Sequence, residues 1–378
     1  MDKLYNPAPY IRKALQDAPN KVEPPTNGAL QYNGLDTSKI RAMGLNECCY
    51  PPSPKVIKAM QDNLSSVNLY PDAQCPRLSD IISERTGIDN KCIVWGNGSE
   101  ELLKGAIDLS LSPGQGLVLP VPTFWGYKSM VAAFEADVTE VENLPDGNVD
   151  TDGILSAIHK NTKIVFLITP NNPSGRLVDQ TGLEKVIYSV PEDVLLCVDE
   201  AYYDFGIHAG GPNVLEILKK RNGPWITVFT FSKAYAMAGM RIGYALCSDP
   251  NLAQALQKTT CVFNVPLLAQ YAGEAALLDT DYLEFILSQI ASGREQIYRG
   301  LKDLGLNPFP SVTNFVSTPI PGNGREMVKV MLEKGIQIST EQTKLNLSFS
   351  DEYIVGTGLL PVRINVGFLL NNAASKTD

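Results

Sequence analysis

One lysine in the sequence has surroundings that suit a reactive amine. In TFSKAYAMAGMRIGYA, residues 230–245, Lys233 follows a serine and an apolar run, and the next cation is Arg241. The residues between the two cations are mostly small and apolar, and none is acidic. A lysine that is partly desolvated has a lowered pKa and a nucleophilic amine, which can form a Schiff base with an aldehyde. The alternative, a surface lysine in a loop, is disfavoured by this context.

A second segment, WGNGSEELLKGAIDL, predicts a phosphate site. A strand ends near Trp95, a Gly-Asn-Gly turn follows, and a helix begins at Ser99. The first backbone N–H groups of a helix have no intrahelical acceptor and therefore bind anions. Thr230, Ser232 and Arg241 would add further donors to the same anion.

Two more polar residues lie where predicted strands end. Asp199 follows the apolar run VLLCV. Burying a carboxylate there costs free energy unless a cation pairs with it. That cation belongs either to a structural salt bridge or to a ligand. Asn172, in ITPNNPSGR, is either an ordinary turn residue or an amide donor to a ligand oxygen. Because ligands bind at the carboxyl ends of strands in open α/β sheets, we expect these groups to converge.

Together these residues match the needs of pyridoxal phosphate, which are a phosphate cradle, an acid for the ring nitrogen, donors for the ring oxygen and an isolated lysine. Asp199 would keep the ring nitrogen protonated. Asn172 and Tyr202 would hold the ring oxygen, and Phe124, in PTFWGY, would stack on the ring.

Alternating apolar runs and helical patterns predict an α/β fold with a mainly parallel sheet that helices cover on both faces. The predicted strands are 91–96, 116–120, 163–170, 194–202, 226–233 and 241–247. Further on, a helical region (265–304) precedes TNFVSTP, GIQIS and VRINVG, which predict strands of a smaller α+β lobe. We therefore expect an irregular arm at 1–45, a large domain at 46–262 and a small domain at 263–378.

Composition narrows the class of protein. The chain has 378 residues, of which 44% are hydrophobic and 19% charged, as in a two-lobed globular protein. Its net charge of −9 disfavours nucleic acid and anionic membranes as partners, and no apolar run reaches the roughly 20 residues that span a bilayer. The seven cysteines lack metal-ligand spacing. We therefore expect reduced thiols, no metal site and a cytoplasmic location.

Nine stretches of the chain resemble the aspartate aminotransferase superfamily, fold type I of the pyridoxal-phosphate enzymes. They are NECCYPPSPKVIKAM, NLYPD, GNGSEELL, PTFWGY, TPNNPSG, VDEAYYDF, TFSKAYAMAGMRIGY, TNFV and VRINVG. Within the superfamily, the chain is most similar to histidinol-phosphate aminotransferase and its relatives. The resemblance implies a large domain with a mainly parallel seven-stranded sheet, a smaller α+β C-terminal domain, and a homodimer with shared active sites.

The same resemblance implies roles for individual residues. Lys233 is the catalytic residue, which carries the cofactor and transfers protons. Arg363, in PVRINVG, clamps the substrate carboxylate or its equivalent, with Asn172 also at the substrate. The implied cofactor-binding residues are Gly98, Ser99, Glu100, Phe124, Asn172, Asp199, Tyr202, Thr230, Ser232 and Arg241, with Tyr70 reaching the neighbouring subunit's cofactor.

The chain departs from these relatives on the substrate side. Where they usually carry an arginine that helps hold a substrate phosphate, this chain has Ser339 and Thr340. GFLLNN replaces an acidic stretch ending in Glu-Asn, and NECC replaces Asn-Glu-Asn-Pro. We therefore expect histidinol phosphate to be a poor substrate and a free L-amino acid to be preferred, with its distal group near the arm (5–30) and the 339–352 segment.

Several reaction types fit the resemblance. The first is transamination to a 2-oxo acid. The second is elimination and cyclisation of a hydroxyarginine, as in relatives that form capreomycidine or enduracididine residues, with Asp17 and Glu23 of the arm as acidic groups for the guanidinium. Decarboxylation, as in the threonine-phosphate decarboxylase relatives, is disfavoured by the altered arginine position. A non-catalytic sensor domain of a transcription regulator is disfavoured because such proteins add a helix-turn-helix region.

Overall fold

The computed structural model describes residues 10–17, 26–132, 134–321, 324–340 and 359–365. The described α-helices are α1 Lys13–Asp17, α2 Asn27–Tyr32, α3 Pro54–Asp62, α4 Pro76–Thr86, α5 Ser99–Ser110, α6 Gly126–Ala132, α7 Thr151–Ser156, α8 Gln180–Ser189, α9 Tyr203–His208, α10 Val214–Leu218, α11 Pro250–Gln257, α12 Leu267–Leu278, α13 Thr280–Asp303 and α14 Gly324–Glu333. The described strands are β1 Arg41–Ala42, β2 Ile93–Gly96, β3 Gly116–Val121, β4 Asp137–Glu142, β5 Thr162–Ile168, β6 Leu195–Asp199, β7 Trp225–Thr230, β8 Gly243–Cys247, β9 Phe315–Pro321, β10 Ile336–Gln337, β11 Ser339–Thr340 and β12 Leu359–Asn365. Within these ranges, none of the helices combines the length and apolarity needed to cross a bilayer.

The large sheet has seven strands in the order β2-β8-β7-β6-β5-β3-β4. The strands from β4 to β7 pair in parallel, whereas β8 runs antiparallel to both β7 and β2. The prediction of a mainly parallel seven-stranded sheet is therefore confirmed. Because parallel strands all end at one edge, the loops after β5, β6 and β7 meet there.

The central strands are buried on both faces, which explains their continuous apolar sequences. Along β5 the side chains alternate between two cores, with Val165 and Leu167 in one and Ile164, Phe166 and Ile168 in the other. Helices α7, α8, α10 and α12 contribute to the first core, and α5, α6 and α11 to the second. Each fully buried aliphatic side chain contributes roughly 1.5–3 kcal/mol. The strand ends are consequently held rigidly.

A second sheet has three antiparallel strands in the order β11-β12-β9, and β1 pairs in parallel with β10. The three segments predicted as strands after residue 310 overlap β9, β10, β11 and β12. Helix α13 lies against this sheet, since the guanidinium of Arg294 donates to the backbone oxygens of Val312 and Thr313 at 2.7 and 3.0 Å.

The expected helical region 265–304 consists of two helices with different packing. Ala269 and Ala272 of α12 lie in the core of the seven-stranded sheet, whereas Ile286 and Ile290 of α13 pack with Phe315 of β9. The division into an arm, a large domain and a small domain stays a prediction. On this packing we propose that the boundary lies between α12 and α13 rather than at residue 262.

The arm, expected to be irregular, contains two short helices in its described part. Helix α2 begins at Asn27 because the hydroxyl of Thr26 accepts a hydrogen bond from the Ala29 backbone N–H at 3.1 Å. A threonine in this position satisfies one of the N–H groups that a helix start leaves unpaired. The remaining residues of the arm, with Glu23, lie outside the described ranges.

Candidate active site

The lysine singled out in the sequence lies in a closed loop between β7 and β8. Phe231 N–H donates to the Ile242 oxygen at 3.1 Å, which closes the loop at its base. Lys233 is half-buried, and its Nζ donates to the backbone oxygens of Leu45 and Asn46, both at 3.3 Å. The loop therefore presents the amine to the segment that precedes the NECC motif.

Asp199, the last residue of β6, is buried at the strand edge. Its carboxylate accepts from the Tyr127 hydroxyl at 3.1 Å and from the Ala201 backbone N–H at 3.0 Å. Burial raises the pKa of Asp199, while these two hydrogen bonds and the charge of Lys233 oppose the rise. Because both of these donors are neutral, a cationic ring nitrogen would supply the ion pair that a buried carboxylate needs.

Tyr127 is a site residue that the sequence analysis missed. It follows Phe124 in PTFWGY, and its ring is fully buried. Burial is the main cause that raises its pKa well above the usual tyrosine value, so the hydroxyl remains a donor to Asp199. The rings of Phe124 and Tyr127 pack edge to face, with their centroids 6.3 Å apart. Phe124 therefore contacts the residue that donates to the Asp199 carboxylate.

Glu200 is the buried neighbour of Asp199. It accepts a hydrogen bond from the Thr227 hydroxyl at 2.7 Å. Burial raises the pKa of Glu200 to about 8, and the charge of Asp199 adds to the rise. The strand edge thus holds two adjacent buried carboxyl groups.

The predicted phosphate donors are hydrogen-bonded to one another. The Thr230 hydroxyl donates to Ser232 Oγ at 2.9 Å, and Arg241 Nη1 donates to the same Ser232 oxygen at 3.2 Å. Arg241 itself has a left-handed backbone, with φ of 52°. The guanidinium is therefore oriented by the loop before any anion arrives.

Gly98 joins the helix start to this cluster. It precedes α5 with φ of 75°, and a Cβ at this position would overlap the Arg241 guanidinium. The N-terminus of α5, with Ser99 and Glu100 in its first turn, consequently lies beside Arg241. The structure therefore brings together a helix start, a guanidinium and two hydroxyls, which are the donors that the sequence predicts for a phosphate; we refer to this group as the candidate phosphate cradle.

The loop after β5 brings the predicted amide to the same edge. Asn172 is buried, and its Oδ1 has no hydrogen-bond partner within the described ranges. The neighbouring Asn171 donates to the Pro122 oxygen at 3.3 Å and to Ser174 Oγ at 3.2 Å. These bonds fix the loop against the segment that carries Phe124.

Comparison with known proteins agrees with this geometry. The family model of aminotransferase class I and II matches residues 38–351. The chain belongs to this family. It is 32% identical over 328 residues to histidinol-phosphate aminotransferase 2 of Carboxydothermus hydrogenoformans, covering 86% of this chain and 89% of the relative. It is also 33% identical over 302 residues to histidinol-phosphate aminotransferase of Bacillus subtilis, covering 80% and 83%.

Solved structures of relatives have the same fold. Histidinol-phosphate aminotransferase from Sinorhizobium meliloti, in complex with pyridoxal-5'-phosphate, is 29% identical, with a TM-score of 0.82 over 96% of this chain and 94% of that one. Aspartate aminotransferase from Thermus thermophilus, at 22% identity and a TM-score of 0.78 over 97% of each chain, shares the fold. This aminotransferase is thus a fold type I enzyme with pyridoxal 5'-phosphate as its cofactor, which serves as an electron sink when bound.

Two asparagines that the sequence analysis did not select lie beside Tyr202 and Lys233, and we refer to this part of the site as the proposed substrate side. Asn46 donates from Nδ2 to the Tyr202 hydroxyl at 3.1 Å, and Asn314 donates from Nδ2 to the Asn46 backbone oxygen at 3.0 Å. In the described part of the chain, the Oδ1 atoms of both side chains are buried without a hydrogen-bond partner. Asn46 is the first residue of the NECC motif, and Asn314 is the second residue of TNFV. Their presence in these two motifs was the sequence signal that could have identified them.

Three positions form a row across the second sheet of the aminotransferase. Arg363 of β12 pairs with Ser339 of β11 on one side and with Ser317 of β9 on the other. The Ser317 hydroxyl donates to the Pro173 oxygen, next to Asn172. The row therefore borders the loop after β5. The side chains of Arg363 and Thr340, the segment 341–358 and the GFLLNN stretch lie outside what the structure describes.

Tyr70 lies on the surface of the described chain. Its side chain is 82% exposed, and its ring stacks on Phe263 with the centroids 4.8 Å apart. Further exposed apolar residues lie close to this pair along the chain, namely Leu64, Val67, Leu69 and Val262. We refer to these six residues as the Tyr70 patch.

Proposed function

We propose that this enzyme transfers the amino group of a phosphorylated amino alcohol, with histidinol phosphate as the expected donor, to a 2-oxo acid. The relatives that share about a third of its residues over most of its length are named histidinol-phosphate aminotransferases. This similarity argues against the expectation, drawn from the substrate-side departures, that a phosphate ester is a poor substrate.

The observation that carries the proposal is the row Ser339, Arg363 and Ser317. In an antiparallel sheet, directly paired residues have their side chains on the same face. The register thus puts an arginine next to Ser339, and both residue types are suitable donors to a phosphate monoester, whereas the Ser317 hydroxyl already donates to the Pro173 oxygen. We propose that the hydroxyl of Ser339, which is buried without a partner in the described ranges, substitutes for the arginine that relatives carry.

The residues of the strand edge have the following proposed roles. Lys233 holds the cofactor covalently and, once released, moves a proton at the substrate Cα. Asp199, oriented by Tyr127, keeps the ring nitrogen protonated. Asn172 and Tyr202 hold the ring oxygen, and Phe124 stacks on the ring. The proposed phosphate ligands are Gly98, Ser99, Glu100, Thr230, Ser232 and Arg241.

A donor screen tests the proposal. The purified enzyme, loaded with cofactor, is assayed with 2-oxoglutarate and with histidinol phosphate, histidinol or single L-amino acids. We expect the highest kcat/KM with histidinol phosphate and a roughly ten- to hundredfold lower value with histidinol, because charge-assisted hydrogen bonds to the phosphate are lost. An equal or higher kcat/KM with a free amino acid contradicts the choice of substrate.

The same screen separates transamination from elimination and cyclisation. Transamination yields one equivalent of oxo product and leaves the cofactor in its amine form. A hydroxyarginine that is consumed without this change would instead establish the cyclisation reaction. The amount of amine-form cofactor, measured by absorbance without added 2-oxoglutarate, distinguishes the two.

We also propose that two copies of the chain pair through the Tyr70 patch, with Tyr70 reaching the cofactor phosphate of the other subunit. The support is the exposure of Tyr70 and of the other apolar residues of the Tyr70 patch. Light scattering should give a dimer. A mixture of Tyr70→Ala and Lys233→Ala chains should be more active than either alone, because one mixed site retains both residues. A monomer, or no gain on mixing, contradicts the shared site.

A further inference from the structure

Two adjacent thiols follow Asn46, whose backbone oxygen accepts a hydrogen bond from Lys233. Cys48 and Cys49 follow Asn46 by two and three residues in NECCYPP, and both are free and partly accessible. They pack against the hydrophobic cluster that contains Tyr202, Ala234 and Phe315. They thus lie where the lysine loop, the second sheet and helix α13 meet.

The two thiols are adjacent in the chain, and their surroundings favour a thiolate at Cys48 over one at Cys49. They share a side-chain hydrogen bond, which lowers the pKa of Cys48 and, together with burial, raises the pKa of Cys49. The thiolate is the nucleophilic form of cysteine. Cys48 is therefore the attacking sulfur, and Cys49 is a neighbouring thiol within reach of it. The remaining cysteines are separate from this pair, and four of them, Cys75, Cys92, Cys197 and Cys247, are buried.

We propose that Cys48 and Cys49 form a reversible oxidation site that acts on the active site through Asn46. A small disulfide such as glutathione disulfide is the oxidant. The Cys48 thiolate attacks one sulfur of it, that S–S bond breaks, and one glutathione thiolate leaves. The Cys49 thiol then loses its proton and attacks the Cys48 sulfur, which releases the second glutathione. Two protein thiols are oxidised, and one small disulfide is reduced to two thiols.

The product is expected to be strained and easily reversed. Adjacent Cα atoms are about 3.8 Å apart, whereas disulfides usually join Cα atoms about 4.4–6.8 Å apart. Strained disulfides have higher reduction potentials and are the labile ones. Ring closure must therefore reorient the backbone between the two cysteines and displace the residues immediately before them.

That displacement reaches the catalytic groups through Asn46. Asn46 has a left-handed backbone with φ of 54°, donates to the Tyr202 hydroxyl, and accepts from Lys233 through its backbone oxygen. A left-handed non-glycine residue is held in place by its surroundings. Moving Asn46 changes the hydrogen bonding of Tyr202, the proposed donor to the ring oxygen, and the carbonyl that binds the Lys233 amine.

The first test is peptide mass mapping after the cofactor-loaded enzyme has been incubated with glutathione disulfide. In the wild type we expect the peptide with both cysteines to lose two hydrogen atoms, and dithiothreitol to restore it. The Cys49→Ser variant should stop at a glutathione adduct on Cys48, and Cys48→Ser should remain unmodified there. Cys261→Ser, which removes an exposed thiol elsewhere, is the matched control and should behave as the wild type.

The second test measures the visible spectrum of the bound cofactor in the absence of a substrate. The pH at which the visible spectrum of the lysine-bound cofactor changes should shift by about half a unit to one unit on oxidation, the equivalent of one neutral hydrogen bond. Cys48→Ser should abolish the shift. A persistent glutathione adduct on wild-type Cys48, oxidation confined to Cys261, or oxidation of the pair without a spectral shift would each overturn the proposal.

Discussion

The cofactor side and the substrate side of this active site differ in how their polar groups are paired. On the cofactor side, Thr230, Ser232 and Arg241 bind one another, and Asp199 is bound by Tyr127. On the substrate side, Asn46 and Asn314 each have a buried amide oxygen without a partner in the described part of the chain.

The difference shows which half is organised before ligands bind. A buried acceptor that lacks a donor costs about 1–3 kcal/mol, and a ligand that brings an N–H or O–H removes that penalty. The cluster of Thr230, Ser232 and Arg241 can hold its shape by itself. The buried amide oxygens of Asn46 and Asn314, and that of Asn172 beside the proposed ring site, depend on a ligand for a partner in the described part of the chain. Mutations should therefore affect the two sides differently.

Removing the amine should have the largest effect. Lys233→Ala should lower the transamination rate at least about 10⁴-fold, because both the covalent attachment and the proton transfer are lost. The visible absorbance of the lysine-bound cofactor should disappear as well. Lys220→Ala, at an exposed position, is the control and should retain both properties. A Lys233→Ala enzyme with substantial activity would remove this residue from the centre of the cofactor side.

The next largest effect concerns the free energy of unfolding, which the buried Glu200 carboxyl group makes dependent on pH. Burial raises the pKa of Glu200 from 4.5 to about 8. Between pH 4.5 and about pH 8, the Glu200 carboxyl group holds a proton in the folded chain but has released it in the unfolded chain. The free energy of unfolding therefore falls by roughly a few kcal/mol as the pH rises through this window. Glu200→Gln keeps an acceptor for Thr227 and should flatten that fall.

Urea unfolding of the cofactor-free protein across this pH window measures the effect. Glu184→Gln, on an outer helix surface where Glu184 accepts a hydrogen bond from Gln180, is the control and should follow the wild-type curve. An unchanged slope in Glu200→Gln would mean that Glu200 titrates normally in the folded protein.

A smaller effect separates the phosphate cradle from backbone strain. Gly98 and Gly114 both have positive φ, but nothing lies within 4 Å of a Cβ built at Gly114, whereas one at Gly98 overlaps Arg241. Alanine at either position should lower the free energy of unfolding by about 1–3 kcal/mol. Alanine at Gly98 alone should weaken cofactor binding, about ten- to hundredfold, through the displaced guanidinium. Equal Kd values in a cofactor titration would contradict the cradle.

The smallest effect is expected on the substrate side. Ser339→Ala should raise the KM for histidinol phosphate about three- to tenfold and leave kcat unchanged, because one hydroxyl donor is lost. Ser112→Ala, at an exposed position, is the control. A raised KM for free amino acids with an unchanged KM for the phosphate ester would instead favour the original expectation of a carboxylate substrate.

Most strands of the large sheet were predictable because they are buried on both faces. The edge strand β4 was absent from the residue-level prediction, since its sequence DVTEVE is polar and mostly not buried. The break between α12 and α13 was also missed. It lies at Asp279, which ends one helix and begins the other without a proline or glycine to mark it.

The proposed cofactor residues could be selected from the sequence because most of them end a strand or lie in the loop that follows one, as Asp199 and Asn172 do. Tyr127, Asn46 and Asn314 were missed because their partners are distant along the chain. Tyr127 is 72 residues from Asp199, Asn46 is 156 from Tyr202, and Asn314 is 268 from Asn46. The motifs PTFWGY, NECC and TNFV contain these three residues, but only the fold shows which distant partner each of them binds.

The closed loop between β7 and β8 carries both cations that are proposed to hold the cofactor, with Lys233 near its start and Arg241 near its end. A ligand that binds only the native state stabilises that state against unfolding. Here the bound cofactor would stabilise a single short loop. Loss of cofactor therefore leaves two cations on one loop without the anion between them. We expect this loop to open locally before the sheet does, and amide exchange at 233–241 to report how much of the enzyme is loaded.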